Sequence, residues 1–409
     1  MTEKTNIQQG YKDSPLGIIP KEWEVKRICD FGKVITGSTP PTNDADNYGS
    51  AYMFVGPVDI TESKYIKSTE KYLSEKGFSI SQNMPKGSVL FTCIGSTIGK
   101  CAIADENLTS NQQINAVICN SNHNEEFLYY ELTNRSNKIR LIAGEQAVPI
   151  INKSTFENIK IVCPPLIEQE RIVSVLSLWD TAIEKQSELI EKLKLRKRAL
   201  MQQLLTGKKR LPGFSGEWIH MPIKTFAKEV SNRNVGGANH IVLSCTKYDG
   251  LVPSLEYFGK QIYSNDLSSY KIIPQGHFAY ATNHIEEGSV GYQSSYENGL
   301  ISPMYTVFVT NKEKVNDTFL YAVLKSHHLI YLYKSMMEGS INRRGGLRWD
   351  SFSTIKIDLP SLEEQNVIAS VLVKADEEIE LAKEKLSNLQ AQKRGLMQQL
   401  LTGKKRIIG

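Results

Sequence analysis

The ten-residue string MQQLLTGKKR stands at Met201–Arg210 and again, unchanged, at Met397–Arg406. The offset is 196 residues, and sliding 164–210 onto 360–406 without a gap leaves 26 of 47 positions identical. Gln169/Gln365, Asp180/Asp376 and Lys197/Lys393 are among them. A gapless self-match of that length is hard to obtain by chance, so the chain is built as two like halves. Two halves in one chain in turn suit a partner with two parts.

Within each copy, apolar residues recur in alternating steps of four and three. The first seam runs Ile172, Leu176, Trp179, Ile183, Gln186, Ile190, Leu193, Lys197, Leu200, Leu204. The second runs Ile368, Leu372, Ala375, Ile379, Ala382, Leu386, Leu389, Lys393, Leu396, Leu400. This is heptad spacing, which predicts helices that pack as a coiled coil. Pro164, Pro165 and Pro360 mark the starts, and Thr206-Gly207 and Thr402-Gly403 supply C-cap signals. The Lys-Lys-Arg that follows suits the negative end of the helix dipole. At about 38 residues and about 1.5 Å per residue, each helix is roughly 57 Å long, a rod rather than an ordinary globular helix. An antiparallel pair within the chain is the simplest packing, and it returns the second helix to the first domain. Lys197 and Lys393 share one polar seam position, which either sets the register or snorkels at the end of the rod.

The remaining chain divides accordingly: an N-terminal segment 1–13, a domain 14–163, the helix 164–209, a second domain 210–359 and the helix 360–409. The domains open alike, with LGIIPKEW ending at Trp23 and LPGFSGEW ending at Trp218, and close alike with NIKIVCPP and TIKIDLP. Between these ends the likeness fades. Lys86–Phe91 aligns with Gln275–Tyr280, Gly99 with Gly291, and Asn115–Ile118 with Tyr305–Phe308. Short β-rich runs broken by Gly, Asn and Ser predominate, with helical patches near 125–142 and 316–337. The expected fold class is α+β: two β-rich domains separated by two long antiparallel coiled-coil helices, in a pseudo-two-fold internal repeat. A kept frame with varied contents is expected when interior loops recognise something different in each half.

Composition narrows the function. An apolar fraction of 40% supports real cores. No run of about 18 apolar residues is present, so no membrane span is expected. Residues 1–14 lack an apolar h-region, so no secretory signal is expected. The six cysteines form no CxxC pair and read as free thiols of a reducing cytosol. A net charge of +5 permits a polyanionic partner without requiring one. No catalytic, cofactor or metal constellation emerges. GSTIGKC at 95–101 is one residue short of a phosphate loop and has Cys101 where a magnesium-binding hydroxyl belongs. His327-His328 has no cysteine or carboxylate cluster near it in sequence.

Two divergent β-rich domains, each followed by a near-identical long helix, resemble the specificity (S) subunits of type I restriction-modification systems. The likeness rests on the helix starts PPLIEQERI and LPSLEEQNVI, the exits MQQLLTGKKR, the TGSTP stretch at 36–40 and the KEW and GEW openings. It implies that each domain is a target recognition domain reading half of a bipartite, asymmetric DNA sequence. It implies that the helices set the spacing and dock two modification (methyltransferase) subunits, through which restriction subunits join. S-adenosylmethionine, ATP and magnesium would belong to those partners. This chain would be a non-catalytic, cytoplasmic component of host defence with no cofactor of its own.

Base edges would then be read by amides, hydroxyls and guanidiniums on loops, and phosphates by lysine and arginine. In the first domain the candidates are Ser38, Thr39, Asn43, Ser96, Thr97, Lys100, Asn111, Gln112, Gln113 and Gln146. The consecutive Asn-Gln-Gln matters because amides pair bidentately with adenine. In the second domain Asn342, Arg343, Arg344 and Arg348 form a donor-rich loop with two glycines; Asn232, Arg233, Asn234, Lys247, Tyr248, Asn283 and His284 are further candidates. Any of these residues could instead be an ordinary solvated turn. Two other readings stand beside this one: a coiled-coil scaffold whose domains bind proteins or glycans, and a stand-alone enzyme, for which no motif is present.

Overall fold

The computed structural model describes residues 9–144, 148–338 and 346–407. The chain forms two compact units, Met1–Ser187 with Glu384–Gly409, and Glu188–Lys383.

In the first unit a five-stranded sheet has the order Gly32–Thr36, Ile114–Cys119, Val89–Thr92, Cys101–Ala104, Tyr65–Ile66. A four-stranded sheet has the order Lys71–Leu73, Tyr48–Val55, Leu108–Ser110, Asn83–Met84, with the middle two strands parallel. Val89–Thr92 is buried at every position because both of its faces are covered. Val89 and Phe91 pack with Phe127, Leu128 and Tyr130 of the helix Glu125–Ile142, whereas Leu90 packs with Met53, Val55 and Met84. Alternation along one strand therefore feeds two cores.

The second unit repeats this plan. One sheet runs Ala227–Val230, Tyr305–Thr310, Phe278–Ala281, Val290–Tyr292; the other runs Gly250–Pro253, Ile241–Thr246, Asn298–Ile301, Lys271–Pro274. Phe278 and Tyr280 face one core, and Ala279 faces the other. Strand register corrects the sequence alignment in two places. Ala102 pairs with Leu90 as Gly291 pairs with Ala279, so the counterpart of Gly291 is Ala102. The counterpart of Gly99 is Gly288, and both sit in the left-handed region at φ +102° and +95°. Likewise Asn115 opposes Phe91 as Thr306 opposes Tyr280, one residue away from the pairing with Tyr305. Strands conserve alternation of burial rather than identity, so matching by glycine alone chose the wrong residue.

The long helices are Leu166–Leu204 and Leu362–Leu400, 39 residues each. In the first unit Ile172 and Leu176 share a core with Met397, Leu400 and Leu401. In the second, Leu204 and Leu205 share one with Ile368, Ala369 and Leu372. The start of each helix thus packs beside the end of the other, which is antiparallel pairing. Every seam position, from Ile172 to Leu204 and from Ile368 to Leu400, is buried or half-buried. The seam lysines bond across: Lys393 to Asp180 in the first unit, Lys197 to Asp376 in the second.

The repeated helix starts are clamps. Gln169 Oε1 accepts the Asn124 N–H (2.9 Å) and its Nε2 donates to Pro164 O (2.9 Å). Gln365 does the same with Asn316 (2.9 Å) and Pro360 (3.0 Å). Asn124 and Asn316 are N-caps, accepting from the Phe127 and Phe319 N–H groups, so each glutamine ties a long helix to a domain helix. Each exit arginine meets a start glutamate: Arg406 bonds Glu168 (2.6 and 2.9 Å), and Arg210 bonds Glu364 (2.7 and 2.6 Å). Trp23 Nε1 also donates to Glu168 (2.9 Å). All six cysteines are free, and among the described residues no helix is long and apolar enough to cross a membrane.

Candidate nucleic-acid interface

In the first unit the strand ends bring four turns together. Gly37 packs so closely on Asn111 O and Ser110 Oγ that a Cβ there would lie 2.2 Å from each, which is why the TGSTP turn carries glycine. Beyond it, Thr39 Oγ1 donates to Gln112 Oε1 (2.7 Å), and Ser38 Oγ accepts from the Gln82 N–H (3.0 Å). Asn111 and Gln113 close on each other through Asn111 Nδ2 to Gln113 Oε1 (3.0 Å) and Gln113 N–H to Asn111 Oδ1 (3.0 Å). The Cys93 N–H donates to Gln113 O (2.8 Å), which joins this turn to 93–100. Lys100 Nζ donates to Pro57 O (3.1 Å), and the Gly95 N–H to Pro149 O (2.9 Å). Thr39, Ser96, Lys100 and Gln112 are exposed; Ser38, Thr97, Asn111 and Gln113 are half-buried. Asn43 is exposed farther along, past Pro40 and Pro41, whose carbonyls are held by Tyr48 and Asn47. Gln146 lies outside the described residues.

The second unit gathers its turns at the same strand ends. The Leu347 N–H donates to Thr282 O (2.9 Å), as the Ile151 N–H does to Cys93 O (2.8 Å). Thr282 Oγ1 donates to Met304 O (3.0 Å), and Lys271 Nζ to Tyr305 O (2.6 Å). Arg233 bridges Lys271 through the backbone. Asn232, Arg233, Asn283, His284 and Arg348 are exposed here. Lys247 and Tyr248 are exposed at a hairpin tip, the ammonium 5.3 Å from the ring centre, and Gly288 approaches Lys247 O at 3.5 Å from its would-be Cβ. Burial lowers the pKa of Lys271, and Arg233 adds to that while Glu229 opposes it. Burial likewise lowers the pKa of Lys325, which donates to Lys247 O (2.9 Å). Both lysines serve the scaffold, leaving Arg233, Lys247 and Arg348 as exposed cations among these candidates.

One candidate moves off the surface. Asn234 is buried at 2% exposure, and its amide is closed on Ala238: Nδ2 donates to Ala238 O (3.0 Å) and Oδ1 accepts the Ala238 N–H (2.9 Å). Asn234 shapes the turn that presents Asn232 and Arg233. Asn342, Arg343 and Arg344 lie outside the described residues. His284, Glu286 and Glu287 have ligand atoms within 4.8 Å of one another, an acidic element in a turn whose first-unit counterpart is neutral.

Sequence reading missed the groups that seat the first β-rich domain on its helices. Lys64 Nζ donates to Glu126 Oε2 (2.7 Å), Tyr130 Oη (3.1 Å) and Ser177 Oγ (3.2 Å), and pairs with Asp180 at 3.3 Å. Tyr130 Oη donates to Asp180, which also holds Lys393. The second unit has Ala322 and Val373 where Tyr130 and Ser177 stand. Asp180 was visible as a repeated residue, but its partners come from three separate stretches of chain.

The sequence profile of the type I restriction modification DNA specificity domain matches residues 20–195 and again 224–391. The chain belongs to this family. Its two matches coincide with the two copies of the fold, and the internal repeat is that of a type I specificity subunit. The type I restriction enzyme MjaVIII specificity subunit of Methanocaldococcus jannaschii is 24% identical over 416 residues, covering 95% of this chain and 94% of that one. The MjaIX specificity subunit of the same organism is 35% identical over 197 residues, a match spanning 45% of this chain and 45% of the relative. The type I S subunit structure from M. genitalium shares the fold with a TM-score of 0.56 at 15% identity, covering 98% and 99% of the two chains. A structure from work on complex assembly and conformational transition of the type I system gives 0.59 at 16% identity, covering 95% and 99%.

Proposed function

We propose that this specificity subunit reads a bipartite, asymmetric DNA target, one half-site per unit, through the turns described above. The observation that carries this reading is a duplicated frame with unlike contents at one place: hydroxyls and amides in the first unit, guanidiniums and a lysine–tyrosine tip in the second. Unlike donor sets on like frames suit two different half-sites. The paired helices set the spacing between half-sites and dock two modification subunits, to which restriction subunits attach. Methyl transfer from S-adenosylmethionine, and ATP- and magnesium-dependent translocation and cleavage, belong to those partners in the cytoplasm. The chain itself is non-catalytic and binds no cofactor.

Fluorescence anisotropy on duplex DNA over a salt series tests the reading. Log affinity should fall linearly with log salt as phosphate contacts release counterions. Salt-independent or absent binding, with and without modification subunits, would favour a protein-binding scaffold instead.

A further inference from the structure

Aliphatic side chains stand exposed among the polar turns of the first unit. Val58, Val148 and Ile150 are 61%, 56% and 50% exposed. Their neighbours are polar. Val58 follows Pro57, whose carbonyl takes the Lys100 ammonium. Val148 and Ile150 flank Pro149, whose carbonyl takes the Gly95 N–H, and Ile150 bridges Ile94 through the backbone. A Cβ on Gly95 would lie 3.9 Å from Gln113 Nε2, so the 148–150 segment runs along the turn that meets the Asn-Gln-Gln amides.

Contact with an apolar group of a ligand would remove this surface from water. The second unit does not repeat Val148 and Ile150; its own exposed apolar side chains there, Val235 and Met304 at 82% and 60%, stand on other turns. The equivalent bonds of Ile151 and Leu347 align the two segments, so Gly346 stands in sequence where Ile150 does and Arg344 where Val148 does. Aliphatic groups on turns that also carry amides, hydroxyls and an ammonium make a poor protein-docking face, which would be a contiguous apolar patch. They do match a DNA groove. The only apolar group on a base edge in the major groove is the thymine 5-methyl, and the amide partner there is adenine.

We propose that the first unit reads at least one thymine through its methyl group, using Val148 and Ile150, in a half-site whose adenine is read by Gln112. This rests on the DNA-reading function proposed above and names the base chemistry of one half of it. The equivalent positions of the second unit, with arginine in place of valine, lack this preference.

The test begins with the full chain, alone and with its modification subunits, selecting from a randomised duplex library. The enriched duplex is then rebuilt with deoxyuridine for thymine, in one half-site at a time, which removes methyl groups and leaves every hydrogen bond in place. The expected result is a loss of about four-fold in affinity per contacted methyl in the half-site read by the first unit. The V148A/I150A chain should bind the thymine and deoxyuridine duplexes equally in that half-site and keep its affinity for the other. Equal binding of the two duplexes by the unaltered chain overturns the inference without any variant. A variant that keeps the full discrimination overturns it too, as does a selected target without thymine in either half. A library with no enriched sequence would overturn the DNA-reading function and this inference with it.

Discussion

Replacing Gln169 or Gln365 by alanine should weaken the protein at two places by the same mechanism. Both glutamines are 1% exposed. Each substitution orphans one backbone N–H, of Asn124 or Asn316, and one prolyl carbonyl, of Pro164 or Pro360. An unsatisfied buried group costs about 1–3 kcal/mol, so each variant should lose about 2–6 kcal/mol. The further bond from Gln365 to Lys314 O adds little, because Lys314 is exposed. For units of this size that amounts to a fall of roughly 4–24 °C in the affected transition. Gln→Glu separates the two bonds. It keeps the acceptor for the asparagine N–H but sets a carboxylate against a carbonyl, so its folded pKa lies above that of a free glutamate. Such a group is most damaging when ionised, so the loss should shrink as pH falls through that raised value. Differential scanning calorimetry at pH 7.5 and pH 5 reads both effects. A cost under about 0.5 kcal/mol for either alanine variant would refute the clamp, because a surface substitution costs that much. A Gln→Glu loss independent of pH would refute the bond assignment.

Ile183→Asp with Ile379→Asp should cost about 3 kcal/mol or more and abolish recognition at fixed spacing, since Ile379 is buried and Ile183 half-buried along the seam; circular dichroism and DNA selection check it. Burial first, and then the Lys26 ammonium, push the His123 pKa below its ordinary value. The unfolded chain therefore takes the proton first, and stability is lost as pH falls below the ordinary histidine value. His123→Gln should flatten that part of a stability profile. Arg348→Ala, at an exposed position, should lower the magnitude of the slope of log affinity against log salt by about one if Arg348 neutralises a phosphate, with no change in melting temperature.

Much of this architecture was legible in the chain because its determinants are local. Heptad spacing, Thr-Gly caps and proline starts specify a helix wherever they stand, and both long helices keep to them. Lys197 and Lys393 read as either register or snorkelling residues, and each bonds an aspartate of the opposite helix. What could not be read is what folding brings together. Glu168 and Arg406 are both repeat residues, yet only antiparallel pairing makes them partners. The parallel pairing of Tyr48–Val55 with Leu108–Ser110 leaves no local mark, and Gly99 matched the wrong glycine because sheet register, not sequence spacing, decides equivalence. Among the candidate readers, Asn234 looked like any polar loop residue, and burial makes it a turn former. Val148 and Ile150 carry no motif, so their place on the reading turns is not legible in the sequence.

We propose that one chain carries two different readers, each for one half of a bipartite target. Sequencing the duplexes that the full chain, with its modification subunits, retains from a randomised library measures this most directly. Two short, dissimilar conserved blocks separated by a spacer of constant length and free composition are expected. A single uninterrupted block, two blocks at variable distance, or no enrichment would contradict the account.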